Sequence, residues 1–192
     1  MIIIFEGLDN SGKTTLIENL SNALSSNYNV KVSKEFETDT GIVLKNGLKE
    51  NKYSPQNKAL LFAADRQERL DELQRTNAYD IVFFDRYIYS AIVYRQSEGL
   101  EEEWIRTLNK FNPKEDLGFY IDITADESIK RNNSKKFNVH YPKEQLEEVR
   151  KNYLRIIESE NLIRIDGMKE SEKITNEVLN IILNNFKETN QL

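Results

Sequence analysis

Residues 7–15 read Gly7-Leu8-Asp9-Asn10-Ser11-Gly12-Lys13-Thr14-Thr15. They fit the pattern G-x-x-x-x-G-K-[ST] of loops that bind phosphate groups. An apolar, β-branched run precedes this loop at residues 1–5, and apolar residues at helical spacing follow it over residues 16–24. The phosphate-binding loop (P-loop) therefore lies between a predicted buried strand and a predicted helix, which is the setting in which it can bind a nucleotide.

The residue types of the P-loop suit a nucleoside triphosphate. Glycines permit backbone angles and close approaches that a Cβ atom would forbid. Lys13 would neutralise the β and γ phosphates, and the hydroxyl of Thr14 would bind Mg²⁺. The predicted donor site consists of the residues whose amides or side chains face the phosphates: Gly7, Asn10, Ser11, Gly12, Lys13, Thr14 and Thr15.

The composition excludes several kinds of protein. No cysteine is present, so disulfides and thiolate metal sites are excluded, and a reducing compartment, the cytoplasm, is expected. The net charge of −5 argues against binding to a nucleic-acid polymer. The apolar start is too short for a signal peptide, and no stretch approaches the ~20 apolar residues of a membrane span. We expect a single domain over residues 1–192 and no membrane association.

Predicted strands and helices alternate along the rest of the chain. Further strands are predicted at residues 29–34, 81–85, 117–123 and 162–166, and further helices at residues 55–74, 88–96, 101–111, 126–131, 142–158 and 171–186. Residues 35–47 contain many acidic and turn-forming residues and predict a loop with one helical turn near Ile42. This alternation predicts an α/β fold with three layers, α/β/α, around a five-stranded parallel sheet.

Helical spacing of apolar residues predicts the buried faces of two helices. For the helix at residues 55–74 they are Leu60, Leu61, Ala63, Ala64, Leu70 and Leu73. For the helix at residues 101–111 they are Trp104, Ile105, Leu108 and Phe111.

Asp85 and Arg86 follow the strand at residues 81–85, at the sheet edge where ligands bind. The two Asn-Lys dipeptides, at residues 57–58 and 109–110, lack the acid of the guanine-reading N-K-x-D segment. Motor-type ATPases usually have Asp-Glu where this chain has Asp-Arg. An acid for Mg²⁺ beside an arginine for a second anion indicates phosphoryl transfer to another phosphate, as in nucleotide kinases.

Three further segments resemble the thymidylate kinase family. Residues 60–66, LLFAADR, are similar to its L-L-F-A-A-x-R helix segment, residues 85–94, DRYIYSAIVY, to its D-R-Y-x-x-S-x-x-x-Y segment, and residues 120–123, YIDI, to its fourth strand. With residues 5–15 they keep the family's order and spacing. The resemblance implies a P-loop kinase fold with a small lid at about residues 130–142. It also implies transfer of the γ-phosphoryl group of ATP to a deoxynucleoside monophosphate, with dTMP as the preferred acceptor.

The resemblance implies roles around the acceptor phosphate. Asp9 would accept a hydrogen bond from the sugar or organise the acceptor phosphate. Arg86, together with Lys34, would hold that phosphate, and Asp85 would bind Mg²⁺ through water.

The resemblance also implies how the acceptor nucleoside is bound. Phe62 would stack on the base, Arg66 would hydrogen-bond the base edge, and Tyr94 would lie under the sugar. Ser90, in the same segment as Tyr94, would also contact the substrate. From the residues alone, Phe62 and Tyr94 could instead be core residues, and Arg66 could be a surface ion-pair partner of Asp65 or Glu68 on its own helix.

The sequence departs from the family pattern at two positions. Asn10 stands where some members have an arginine, so a cation of the lid, Arg131 or Lys135, would have to meet the charge of the transition state. Ala91 stands where members often have a polar residue that helps to read the base, and the acceptor base is therefore left open between thymine, uracil and others. The resemblance further implies a homodimer, for which the helix at residues 88–96 is a candidate interface.

Two alternatives remain at this point. A deoxynucleoside kinase would phosphorylate a neutral hydroxyl and would need a carboxylate base, for which Glu35 is a candidate. A regulatory nucleotide-binding module would bind ATP without turnover.

Overall fold

The structure is a computed structural model that describes residues 1–76, 78–131 and 141–189. One five-stranded sheet lies at its centre, in the order β2-β3-β1-β4-β5. The strands are β1 Ile2–Gly7, β2 Val30–Lys34, β3 Ile81–Asp85, β4 Leu117–Asp122 and β5 Ile163–Asp166. Every neighbouring pair is parallel, so the carboxyl ends of all five strands meet at one edge. The predicted parallel sheet is confirmed.

Eight helices lie within the described residues. They are α1 Lys13–Leu24, α2 Asp39–Lys49, α3 Pro55–Thr76, α4 Ile88–Ser97, α5 Glu102–Leu108, α6 Ala125–Arg131, α7 Lys143–Glu160 and α8 Ser171–Thr189. None of them combines the length and the apolar character that crossing a bilayer requires.

Helices cover both faces of the sheet, because successive residues of a strand point to opposite faces. Ile3 and Phe5 of β1 belong to a core with residues of α1 and α8. Ile4, between them, belongs to a second core with residues of α4, α5 and α7. Strands that are buried on both faces are near-continuous apolar runs, as the sequence shows. The three-layer α/β/α fold is confirmed.

The prediction of a loop at residues 35–47 is wrong, because α2 begins at Asp39. Thr38 caps this helix by accepting a hydrogen bond from the amide of Gly41 at 2.9 Å. Glycine in a helix weakens it, which is why the sequence favoured a loop. Here glycine permits close packing, since a Cβ atom on Gly41 would lie 2.3 Å from Oδ1 of Asp65 on α3.

The buried face of α3 is also different from the prediction. Leu60 is 48% exposed, whereas three charged residues, Asp65, Arg66 and Arg69, are buried. Oδ1 of Asp65 accepts a hydrogen bond from the hydroxyl of Thr38 at 2.6 Å. Charged residues can occupy such a face only when partners compensate their desolvation, and those partners come from other elements of the fold.

The helix predicted at residues 101–111 ends early, at Leu108. The side chain of Asn109 donates to the carbonyl of Ile105 at 2.7 Å and so satisfies a free carbonyl of the last turn. Its other end accepts from Arg66 of α3. Phe111 is 81% exposed, so its predicted burial is wrong.

Candidate active site

The P-loop joins β1 to α1 and depends on glycine at two positions. Gly7 has φ of 147°, and a Cβ atom there would lie 2.6 Å from the carbonyl oxygen of Ile121. Gly12, which precedes α1, has φ of 98°. Asn10 also has a positive φ of 61°, and its Nδ2 donates to the carbonyl of Ser128 on α6 at 3.1 Å. The loop thus brings its amides and the start of α1 to the carboxyl edge of the sheet.

Lys13 is folded back onto the P-loop. Its Nζ donates to the carbonyls of Leu8 at 2.7 Å and Gly7 at 3.2 Å, and to Oγ of Ser11 at 3.2 Å. The residue is only 5% exposed. Burial, assisted by the positive charge of Arg86, lowers the pKa of Lys13 to about 8. Phosphate oxygens in the loop would be stronger acceptors for this ammonium group than carbonyls are.

Thr14 and Asp85 meet across the sheet edge, as the sequence predicted for a magnesium site. Oγ1 of Thr14 donates to Oδ2 of Asp85 at 2.9 Å. Mg²⁺ prefers such oxygen ligands and usually binds one or two carboxylates together with phosphate oxygens and water. Among the described residues no three His, Cys, Asp or Glu side chains form a metal-binding group.

Arg86 joins the P-loop to α4. Its guanidinium pairs with the carboxylate of Asp9, donates to Oγ of Ser90 at 3.1 Å and lies 3.5 Å from the hydroxyl of Tyr94. The backbone of Arg86 has φ of 71°, and its amide donates to the carbonyl of Phe5 at 3.0 Å. The structure therefore brings together four residues that were predicted from two separate motifs.

Glu6 positions this group, and the sequence analysis missed it. The residue is 0% exposed. Its Oε1 accepts from the amides of Tyr87 at 2.9 Å and Ser90 at 3.1 Å, and its Oε2 from the hydroxyl of Tyr153 at 2.9 Å. The carboxylate thereby caps the first turn of α4, which has no local side-chain cap. An acid within an apolar strand run was the available signal, since buried acids are rare unless they are paired.

A cavity lies against the P-loop, beside Asp9 and Arg86. It encloses about 630 Å³ of empty space, with the solvent at its mouth included. Its walls come from the P-loop, the segment after β2, α2, α3, α4 and the segment that precedes α7. They are Asp9, Glu35, Phe36, Leu48, Phe62, Arg86, Ser90, Ala91, Tyr94, Arg95 and Tyr141.

Phe62 faces this cavity, but two other predicted substrate residues do not. Arg66 is fully buried, and its guanidinium donates to Oδ1 of Asn109 at 2.6 Å and to the carbonyl of Tyr87 at 3.0 Å. It holds α3 against neighbouring elements. Lys34 is turned toward α1, where its Nζ lies 3.7 Å from a carboxylate oxygen of Glu18.

Glu35, the candidate base of a nucleoside kinase, does line the cavity. Burial raises the pKa of its carboxyl group, against the opposing effect of Arg86, Arg69 and Arg66. A raised pKa is compatible with a proton-accepting role, so the geometry alone leaves that alternative open.

Arg131 lies on the other side of the P-loop, where a second cavity is lined by Ser11, Gly12, Thr15 and Lys169. The guanidinium of Arg131 donates to Glu127 at 2.7 Å and to the carbonyl of Gly167 at 3.1 Å. Arg131 therefore lies where the donor nucleotide would be bound. Lys135 and most of the predicted lid lie outside the described residues.

Comparison with known proteins agrees with this geometry. The family model described as "Thymidylate kinase" matches residues 5–178. A protein of Methanosphaera stadtmanae named "Probable thymidylate kinase" is 37% identical, over 97% of this chain and 100% of its own length. A "Probable thymidylate kinase" of Sulfolobus acidocaldarius is 38% identical over 96% of this chain and 99% of its own. "Probable thymidylate kinase 1" of Saccharolobus solfataricus is 32% identical over 96% and 98%.

These matches cover the P-loop, the Asp-Arg strand end and the cavity wall together, and they favour neither the nucleoside kinase nor the regulatory module. The chain belongs to the thymidylate kinase family, whose members are phosphotransferases that move a phosphoryl group from ATP to dTMP.

Proposed function

We propose that this chain transfers the γ-phosphoryl group of ATP to the 5′-phosphate of dTMP in the cavity beside Asp9 and Arg86, and releases ADP and dTDP. The observation that supports this most directly is the position of Arg86. Its side chain is 12% exposed and faces a cavity that adjoins the P-loop. A largely buried arginine opposite a phosphate-binding loop suits an acceptor that is itself an anion.

The donor is held by the P-loop. Amides of the loop and of the first turn of α1 surround the β and γ phosphates, and Lys13 exchanges its carbonyl partners for phosphate oxygens. Thr14 and Asp85, which are hydrogen-bonded to each other, would hold Mg²⁺. That ion, when bound, neutralises charge on the β and γ phosphates.

The acceptor is held by α3, α4 and the P-loop. Arg86 binds the 5′-phosphate and aligns it with the donor, with Asp9 and Ser90 fixing the guanidinium. Phe62 stacks on the base and Tyr94 lies under the sugar. Alignment and charge neutralisation account for catalysis, because the attacking oxygen is already anionic and needs no general base. Arg131 and Lys135 remain the proposed lid cations for the transition state, and the cytoplasm remains the predicted compartment.

The decisive experiment compares ADP release with dTMP and with thymidine as the acceptor. We expect turnover with dTMP and none with thymidine. Turnover with thymidine alone would indicate a nucleoside kinase with Glu35 as the base, and ATP binding without turnover on any monophosphate would indicate a regulatory module.

We also propose a homodimer, but not through α4. Residues 89–95 of that helix are buried within the monomer. The neighbouring helices α2 and α3 instead expose apolar side chains. Ile42 and Val43 of α2 are 50% and 55% exposed, and Leu60 of α3 is 48% exposed. Analytical ultracentrifugation should show a dimer that Leu60→Glu converts to a folded monomer. An unchanged dimer in that variant would place the interface elsewhere.

A further inference from the structure

Tyr153 of α7 has no role in the reaction described above, although it contacts residues that hold Arg86. Its side chain is 0% exposed. The hydroxyl lies 2.9 Å from Oε2 of Glu6 and 2.9 Å from Oγ of Ser90. Burial, assisted by the negative charge of Glu6, raises the pKa of Tyr153 well above its ordinary value. The hydroxyl therefore keeps its proton and remains a hydrogen-bond donor beside the acceptor site.

Ser90 connects this hydroxyl to the arginine of the acceptor site. Oγ of Ser90 donates to Oε2 of Glu6 and accepts from Nη1 of Arg86 at 3.1 Å. Oxygen atoms of Glu6, Ser90 and Tyr153 thus form a buried cluster, and the guanidinium contacts one of them. A carboxylate has no proton to give. The two hydroxyl protons are therefore directed within the cluster, and a lone pair of Ser90 is left for Arg86.

Tyr153 brings a second helix into this cluster. The other groups that donate to Glu6 are the amide of Tyr87 and the amide and hydroxyl of Ser90, which belong to the start of α4. Tyr153 belongs to α7, and its ring stacks on the ring of Tyr120 in β4 with 4.8 Å between the centroids. The hydroxyl of Ser90 is consequently held from α7 as well as from β1.

We propose that Tyr153 is a positioning residue for phosphoryl transfer, because its hydroxyl fixes Ser90 and Ser90 fixes one edge of the Arg86 guanidinium. Asp9 pairs with Nη2 and Ser90 accepts from Nη1, so contacts at two nitrogens set the plane of the guanidinium. Bidentate binding of a phosphate depends on that plane. A guanidinium that turns keeps its charge and loses its alignment, and a misplacement of ~1 Å can cost about 100-fold in rate.

This inference rests on the proposed function, because it concerns the arginine assigned to the acceptor phosphate. Tyr153→Phe removes one oxygen atom and keeps the buried ring. We expect kcat/KM for dTMP to fall about 10-fold, chiefly through kcat, since the charge of Arg86 remains and its alignment is lost. The KM for ATP should not change, because Lys13 lies outside the cluster.

Tyr120→Phe is the matched control. Tyr120 is also 0% exposed, and its hydroxyl donates to Oδ1 of Asp122 at 3.1 Å. This variant therefore loses one buried hydrogen bond to a carboxylate that does not contact Arg86. Chemical denaturation should show similar losses of stability in the two variants, whereas the kinetics with dTMP should change only in Tyr153→Phe.

A double-mutant cycle with Ser90→Ala tests whether Tyr153 acts through Ser90. We expect Ser90→Ala and the double variant to have about equal kcat/KM for dTMP, because the hydroxyl of Tyr153 then has nothing to position. Tyr120→Phe should be additive with Ser90→Ala. A purely structural role of Tyr153 would make both cycles additive.

The outcomes separate the two proposals. An additive cycle, or a folded Tyr153→Phe variant with wild-type kinetics for dTMP, overturns this inference and leaves the proposed function standing. If Tyr153→Phe does not fold, Glu6→Gln replaces the charged acceptor of both hydroxyls by a neutral amide of the same shape. A selective loss with dTMP in that variant supports the inference, and unchanged kinetics overturn it. If wild-type enzyme phosphorylates no monophosphate, the proposed function fails and this inference fails with it.

Discussion

The two halves of the site are built in different ways. The proposed donor side is one continuous stretch, Gly7 to Thr15, which offers mostly backbone amides that glycines allow to converge. The acceptor side is a cavity with walls from six separate parts of the chain, and its ligands are side chains. A site made from local backbone geometry depends on adjacent residues, whereas a site made from side chains depends on how helices pack. The first should tolerate changes in packing better than the second.

The largest effect is expected from removing the residue that joins the two halves. Arg86→Ala should lower kcat/KM for dTMP by roughly 1,000-fold, because it removes the acceptor's charge partner and leaves Asp9 unpaired. Affinity for ATP should change little, since the P-loop remains. Steady-state kinetics and calorimetric titration with ATP measure the two sides separately.

Arg75→Ala is the matched control for Arg86→Ala, because Arg75 is exposed near the end of α3. It should behave like the wild-type enzyme. Equal loss of dTMP turnover and ATP affinity in Arg86→Ala would show that the two halves are not separable.

A second prediction concerns Arg66. The sequence motif implies that its guanidinium contacts the base, whereas in the structure it donates to Asn109 and to the carbonyl of Tyr87. Arg66→Met should lower the free energy of unfolding by about 2–3 kcal/mol, because Oδ1 of Asn109 and the carbonyl of Tyr87 lose a buried charged donor. Chemical denaturation measures this loss. The ratio of kcat/KM for dUMP to kcat/KM for dCMP should not change in the folded variant. If this ratio falls while stability does not, Arg66 contacts the base as the motif implies.

The comparison also explains which parts of the site could be predicted from sequence. The positions of the P-loop, Asp85 and Arg86 were predicted because each lies at the end of a strand. The apolar residues of that strand are enough to identify it in the sequence. Arg66 and Arg95, of which only Arg95 lines the cavity, could not be distinguished in this way. Both arginines lie on helices near the cavity. Asn109, at the end of a third helix, α5, accepts a hydrogen bond from Arg66. The spacing of residues within α3 or α4 does not indicate where α5 ends, and it therefore does not indicate which arginine has a partner there.

The same limit applies to the fold. The order of strands and helices follows from local periodicity, and the sheet was predicted correctly. The helix α2 was missed because Gly41 and Gly47 lower helix propensity. Both glycines lie against bulky neighbours, Asp65 and Tyr53. Tertiary packing therefore overrides propensity at the positions that shape the acceptor cavity, one wall of which is Leu48 of α2.

The smallest expected effect is a difference between the two halves in how nucleotide affinity depends on pH. In the free enzyme the pKa of Lys13 is lowered to about 8, first by burial and then by Arg86. Bound phosphates favour the ammonium form and raise that pKa, so binding takes up a proton once the free amine is neutral. Affinity for ATP should therefore be nearly constant below pH 7 and fall about tenfold between pH 7 and pH 9.

Affinity for dTMP should stay flat over the same range. Burial lowers the pKa of Arg86, but Tyr94 and Asp9 outweigh burial and raise it, so the guanidinium remains charged throughout. Calorimetric titration of each nucleotide between pH 7 and pH 9 measures both affinities, and Lys13→Arg, which cannot lose its charge in this range, should abolish the slope for ATP. A slope that persists in Lys13→Arg, or that appears equally for dTMP, would mean that a group shared by both halves titrates. The donor site, built from backbone amides, and the acceptor site, built from side chains, would then not be electrostatically independent of each other.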